Sequence, residues 1–140
     1  MTIQLKPVPA AAVRPLRQRV LRPSQTADEL VFEGDDHPQT LHMASVDPQG
    51  TITGIATIMP NDETTWQVRG MAVDPQRRGQ SLGAALLAAC VDHAQKHGAQ
   101  RIWCNARTSA KGFYLRQGFV TVGEVFELPQ IGPHVVMERP

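Results

Sequence analysis

Between Met71 and Leu87 the chain reads MAVDPQRRGQSLGAALL, and this stretch holds the residues best suited to gripping an anion. A strand-like segment stops at Asp74-Pro75. Arg77, Arg78, Gly79, Gln80, Ser81, Leu82 and Gly83 then form a basic, glycine-bearing turn into a long helical pattern. The start of a helix leaves about four backbone N–H groups without partners and carries partial positive charge, so phosphate oxygens bind there without a dedicated side chain. Glycine keeps a Cβ out of the way, and Arg77 and Arg78 can add charge-assisted contacts at the rim. The plainer alternative is a connecting turn with solvated arginines. The spacing excludes a Walker loop, which needs Gly-Lys-Ser/Thr at its end, and it excludes the dinucleotide fingerprint as well.

Other reactive side chains say less. Cys90 and Cys104 fall in apolar stretches, which suits buried thiols better than a disulfide or a thiolate nucleophile. Cys90, His93 and His97 share one sector of the long helix. A third metal ligand would have to come from the stripe that faces the core, and no His-Glu-x-x-His pattern is present, so no metal site is expected.

The elements that must position the anion turn follow from periodicity. Thr2 to Lys6 alternates as a strand, and Leu16, Val20 and Leu21 predict a helix starting near Pro15. Thr26 and Glu29 form a possible capping box for a short helix over Ala27 to Phe32. Thr40 to Val46, Thr51 to Met59 and Thr64 to Val73 read as an antiparallel meander, with Gly54 and Gly70 marking bulges or close backbone approaches. A helix runs from Ser81 to Gly98 with Leu82, Leu86, Leu87, Cys90 and Ala94 on its apolar stripe. Ala99 to Ala106 is a strand, Ala110 to Gln117 a short helix, Phe119 to Glu127 a strand, and His134 to Glu138 the last strand. A mixed sheet flanked by helices is the natural architecture.

With 140 residues and no linker or repeat, the chain is expected to form one domain over 1–140. The 14 Lys+Arg against 13 Asp+Glu leave no overall field to draw it to nucleic acid or an anionic membrane, so neither is an expected partner. The N-terminal segment has no signal-peptide core, and no apolar run nears the ~18 residues of a spanning helix, so the expectation is a cytoplasmic protein.

Two blocks carry a family resemblance. QRRGQSLGAALL resembles the acyl-CoA-binding signature Q/R-x-x-G-x-G/A of the GNAT superfamily, with Gln76 and Gly79 in place and Ser81 at the second Gly/Ala position. Serine is small and a good N-cap. Downstream, AKGFYLRQGF resembles that superfamily's A-x-x-F/L-Y-x-x-x-G-F block through Ala110, Phe113, Tyr114, Gly118 and Phe119. Where an asparagine often precedes the tyrosine the chain has Arg107, with Asn105 two residues earlier. The tail GEVFELPQIGPHVVMER is similar to that of a subgroup of small bacterial members.

This resemblance implies an α/β (α+β) fold with a central mixed, mostly antiparallel sheet of six or seven strands, a splayed strand pair and three to four flanking helices. It implies transfer of an acetyl group from acetyl-CoA, as co-substrate and without a metal, to a primary amine by direct attack in a ternary complex. Met71, Ala72 and Val73 would lie along the pantetheine, residues Arg77 to Gly83 would hold the pyrophosphate, and Asn105 would be a further cofactor contact. Tyr114, the only tyrosine, would protonate the leaving thiolate; the plain alternative is a core-edge aromatic. The strand before the turn offers Gln67, Arg69 and Gly70 where relatives often carry a carboxylate. Arg69 cannot be a base and either meets a substrate carboxylate or stays solvated. His134 has the right chemistry for a base, with Glu124 and Glu127 as weaker alternatives. The rival readings are a non-catalytic acyl-CoA sensor and a nucleotide-binding regulator. Edge strands leave room for a homodimer.

Overall fold

The computed structural model describes residues 4–26, 28–79, 81–129 and 131–139. Three segments rich in β-branched residues form the predicted meander as β2 (Leu41–Val46), β3 (Ile52–Pro60) and β4 (Thr65–Val73). Their turns are built by aspartates. Asp47 accepts from the amides of Gln49 and Thr51, both at 2.9 Å, and Asp62 accepts from those of Thr64 and Thr65 at 2.9 and 2.8 Å. Strand β1 (Gln4–Pro7) adds antiparallel to β2. After helix α1 (Ala10–Leu16) and the meander come helix α2 (Leu82–Lys96), strand β5 (Arg101–Arg107), helix α3 (Lys111–Arg116) and strands β6 (Val120–Leu128) and β7 (Gly132–Arg139). The seven strands make one sheet in the order β1-β2-β3-β4-β5-β7-β6, antiparallel except between β4 and β5.

Helix α2 buries Leu82, Leu86, Leu87, Cys90, Val91 and Ala94, adding Val91 to the stripe expected from the sequence. Of these, Leu86, Leu87, Cys90, Val91 and Ala94 pack with Ala56, Ile58, Trp66, Val68, Ile102, Phe119 and Met137. The other face of the sheet packs Ala44, Ile55 and Ala72 against Val13 and Leu16 of α1. Alternation along β4 is broken once. Trp66 and Val68 belong to the α2 side, and so do Met71 and Val73. The parity changes at Gly70, where φ is +63° and the register against β3 slips between Ile55 and Thr57. One extra residue in a strand flips every later side chain to the opposite face, and this is how Met71 comes to point to the α2 side. Gly54 marks the other expected irregularity. A Cβ there would sit 2.7 Å from Ser45 Oγ and 2.9 Å from a Leu86 methyl group.

Three expectations need correction. The first helix starts at Ala10, well before Pro15, and contains it. Because Pro15 has no N–H, the helical ladder is broken there, and the chain continues as a wider π turn over Arg17–Leu21. The short helix expected over 27–32 is a single 3₁₀ turn, Asp28–Leu30; Ala27 lies outside the described residues. Glu29 does reach back to the Thr26 amide at 3.1 Å, so the capping chemistry is present, but the following sequence turns away after three residues. The last strand begins at Gly132, so His134 sits inside it.

The π turn brings Arg17 into the interior, fully buried. Its guanidinium donates to both Asp35 carboxylate oxygens at 2.8 and 3.0 Å, to the Leu30 carbonyl at 2.9 Å and to Thr57 Oγ1 at 2.9 Å. His42 extends the network from Thr57 Oγ1 at 2.7 Å to the Asp35 carbonyl at 3.0 Å. The same guanidinium lies 4.0 Å above the Phe32 ring, and its Nε is 2.9 Å from where a Gly70 Cβ would be. Burial works to raise the Asp35 carboxyl, but the Arg17 hydrogen bonds and the Phe32 amide outweigh it and hold the group below the usual carboxylate range. Breaking one partner of a buried pair leaves the other charge uncompensated, so Asp35→Ala should destabilise the fold by about 3–5 kcal/mol in urea unfolding. A carboxyl depressed in the folded state contributes fully above its unfolded value and loses that contribution as pH falls through the folded one. Wild-type stability should therefore decline in acid below the ordinary carboxylate range, and the Asp35→Ala variant should show a shallower decline.

Candidate active site

Strands β4 and β5 pair for only three residues, Thr65 to Gln67 against Arg101 to Trp103. Beyond that point β5 continues antiparallel with β7 as far as Arg107 and His134. The opening between β4 and β5 contains a cavity of about 790 Å³. Gln67 to Val73 line one wall, Cys104 to Arg107 the other, and Phe113, Tyr114 and His134 close it from α3 and β7. Met71, Ala72 and Val73 all lie on the β4 wall, as the sequence suggested.

The anion turn stands at the end of that wall. Asp74 caps the 3₁₀ turn Pro75–Arg77 by accepting from the Gln76 amide at 3.0 Å. Gly79 takes φ +84° and Ser81 φ +61°, and the Ser81 carbonyl accepts the first helical bond from Ala85 at 3.1 Å. Ser81 is the one non-glycine with positive φ among the described residues, and its side chain makes no cap, which corrects the N-cap expectation. The left-handed region costs a non-glycine residue about 1–2 kcal/mol. Among the described residues no protein acceptor takes the amides of Gly79, Ser81, Leu82 or Gly83. Gln80 lies outside the described residues. Arg77 and Arg78 both line the cavity, and Arg77 is also held by Asp47 at 3.1 Å.

Tyr114 is buried at 7% exposure, with its hydroxyl 3.8 Å from the Met71 sulfur. Phe113 and Phe119 meet its ring edge-on, at centroid distances of 5.2 and 5.4 Å. Burial first, and then the Cys104 thiol beside it, push the phenol above the usual tyrosine range, so it stays protonated. His134, also buried, places Nδ1 2.8 Å from the Gly132 carbonyl. A carbonyl only accepts, so Nδ1 carries the proton and the neutral ring keeps a lone pair on Nε2. Asn105 is on the β5 wall with its side chain exposed. Glu124 and Glu127 are exposed on β6 and do not line the cavity, which removes them as alternatives to His134.

Among the lining residues missed from the sequence are two arginines and a phenylalanine. Arg22 and Phe32 come from the segment where the helix assignments failed, and Arg107 was noticed only as a departure from a motif. Arg69 and Arg22 lie over the Phe32 ring at 4.1 and 5.3 Å, and Arg107 Nη2 donates to the Leu21 carbonyl at 2.6 Å. No described carboxylate lines the cavity.

The sheet order and the splayed β4–β5 pair agree with the comparisons. The model of the acetyltransferase (GNAT) family matches residues 10–119. The chain belongs to the GNAT family of N-acetyltransferases. It is similar to the uncharacterized N-acetyltransferase YitI of Bacillus subtilis (strain 168), with 30% identity over 143 residues covering 98% of this chain and 95% of that one. Its fold is similar to that of Escherichia coli ElaA, with a TM-score of 0.83 at 20% identity over 99% of this chain and 100% of that one. An acyl-CoA N-acyltransferase from Pseudomonas aeruginosa gives 0.81 at 21% identity, with the same coverage. The seven-stranded, mostly antiparallel sheet and the splay are thus the GNAT fold.

No helix among the described residues of this GNAT chain is long and apolar enough to cross a membrane. Both cysteines are free and buried. Burial pushes each thiol up to about 12, and for Cys104 the Tyr114 hydrogen bond opposes that rise only partly. A thiol that stays protonated and covered does not react as a thiolate. Neither cysteine should react with a chromogenic disulfide reagent at pH 8 in the folded protein, and both should react once it is unfolded in urea. Titration of released chromophore gives the count.

Proposed function

We propose that residues 1–140 act as one cytoplasmic acyltransferase domain that moves an acetyl group from acetyl-CoA to the primary amine of an acceptor, by direct attack while both are bound. The observation that carries this reading is the open edge of β4, which leads from the amides of Gly79, Ser81, Leu82 and Gly83, without an acceptor among the described residues, to the Tyr114 hydroxyl. Reduced, buried cysteines suit a cytoplasmic protein.

The residues present fit acetyl-CoA. The amides of Gly79, Ser81, Leu82 and Gly83, which have no acceptor among the described residues, would hold the pyrophosphate together with Gln80, and Arg78 would add charge at the rim. Nothing lies within 4 Å of where a Gly79 Cβ would be, so that backbone is open to an anion. Arg77, held by Asp47, would shape the turn and share its charge. The backbone of Met71, Ala72 and Val73 offers an unpaired strand edge to the amides of the pantetheine, facing Asn105 across the opening.

Acetyl-CoA supplies an activated thioester and a thiol leaving group. Tyr114, kept protonated by burial, donates its proton to the departing sulfur as the C–N bond forms and the C–S bond breaks. His134 Nε2 accepts the proton that the amine must lose, and its Nδ1–H bond to Gly132 keeps the ring in the tautomer that can do so. Met71, Phe113 and Leu128 give the cavity an apolar lining.

Loss of a positioned proton donor typically costs about 10²–10⁴-fold in rate. Tyr114→Phe should lower kcat by about 10²-fold in a thiol-release assay while the KM for acetyl-CoA changes little. His134→Gln should lower kcat by about 10²-fold in the same assay at pH 8, with the KM for acetyl-CoA little changed. Acetyl-CoA that binds but is never consumed across a broad amine panel would replace catalysis with a sensing role, and unchanged turnover in Tyr114→Phe would remove the phenol from the chemistry.

A further inference from the structure

Charge in the cavity is distributed one-sidedly. Of the arginines around Phe32, Arg17 is neutralised by Asp35, but Arg22 and Arg69 have no carboxylate partner within ion-pair reach among the described residues. Arg107 joins them from the end of β5, bound only to the Leu21 carbonyl. All three line the cavity, and no described Asp or Glu does. Burial lowers the pKa of both Arg22 and Arg69, and mutual repulsion adds to it: Arg107 and Arg17 act on Arg22, while Arg22 and Arg17 act on Arg69. Glu33 and Asp35 act on Arg69 in the opposite sense and do not reverse the shift. A fold that gathers partly desolvated guanidinium groups without counter-charge is poised to receive an anion, because each bond it then makes is charge-assisted.

Position separates this cluster from the anion turn. Arg69 precedes the Gly70 bulge, whereas the turn follows Val73 at the other end of β4. Met71, in contact with the Tyr114 hydroxyl, lies between them along the strand. An acyl donor anchored at the turn and reaching Tyr114 would leave Arg22, Arg69 and Arg107 on the acceptor's side, together with His134, which stands opposite Arg107 in the sheet.

Resting on the acetyl-transfer reading, we infer that the acceptor is a small amine that also carries a carboxylate, held by Arg22 and Arg69 on the Phe32 platform with its amino group turned to Tyr114 and His134. Arg107 completes the positive wall and, through Leu21, fixes the π turn that carries the chain to Arg22.

The experiment uses the full chain and two measurements. Calorimetry gives the affinity for acetyl-CoA alone. Thiol release then compares free α- and ω-amino acids with their carboxamides and with O-phosphoethanolamine. The inference expects at least one amino acid to be acetylated with kcat/KM about 10-fold or more above its carboxamide, the size of a lost charge-assisted bond. Arg69→Gln and Arg22→Gln should each remove most of that preference while acetyl-CoA affinity stays within about twofold, because neither residue belongs to the anion turn. Two variants on separate elements guard against local misfolding of either. Carboxamides or the phosphorylated amine used as well as the amino acids would overturn the inference. So would a preference that survives both substitutions, or acetyl-CoA binding with no amino acid acetylated. Failure of acetyl-CoA to bind at all would remove the acetyl-transfer reading first, and this inference with it.

Discussion

The three-residue limit on pairing between β4 and β5 is the constraint from which the site follows. Both strands are long enough to continue, but β4 carries an extra residue at Gly70, while β5 runs on beside β7 on its other edge. A bulge bends the strand that contains it and increases local twist, so β4 turns away where a longer parallel ladder would have formed. Backbone N–H and C=O groups on the abandoned edge need partners, and they face the cavity. The strand that lost its neighbour becomes the wall of the proposed acyl-donor groove.

Glycine at position 70 is tied to the buried arginine behind it. Four hydrogen bonds clamp the Arg17 guanidinium, so its Nε has little freedom to retreat from any side chain placed at Gly70. The π turn created by Pro15 delivers Arg17, Asp35 compensates its charge, and Thr57 ties both to the middle of β3. Strand geometry at the site therefore depends on an ion pair on the far face of the sheet. The same segment then supplies Arg22, which has no such compensation, so one short stretch carries both a structural arginine and one left for a ligand.

Much of this was legible in the chain itself. The turn before α2, the short helix bearing Tyr114 and the irregularities at Gly54 and Gly70 each carry a local chemical reason for their residues, and the backbone follows it. The order of elements followed from period changes at the aspartate turns and at Gly98 and Gly118. Failures concentrated between Ala10 and Phe32. There Pro15 looks like a helix start because its missing N–H suits that position, yet the helix is held by tertiary burial of Val13 and Leu16 and tolerates the proline. Arg17, Arg22 and Phe32 could not be recognised because nothing local says that an arginine will be buried; its partner Asp35 is eighteen residues away in sequence. Ser81 was read as a cap from its residue type, whereas the backbone it adopts is one that usually needs glycine.

Backbone hydrogen exchange with and without coenzyme A tests the open-edge account most directly. The account predicts slower exchange on binding at the amides of residues 71–73 and 79–84, with β1 and β2 unchanged. Coenzyme A that binds while leaving those amides as fast as before, or that protects a different face of the sheet, would contradict it.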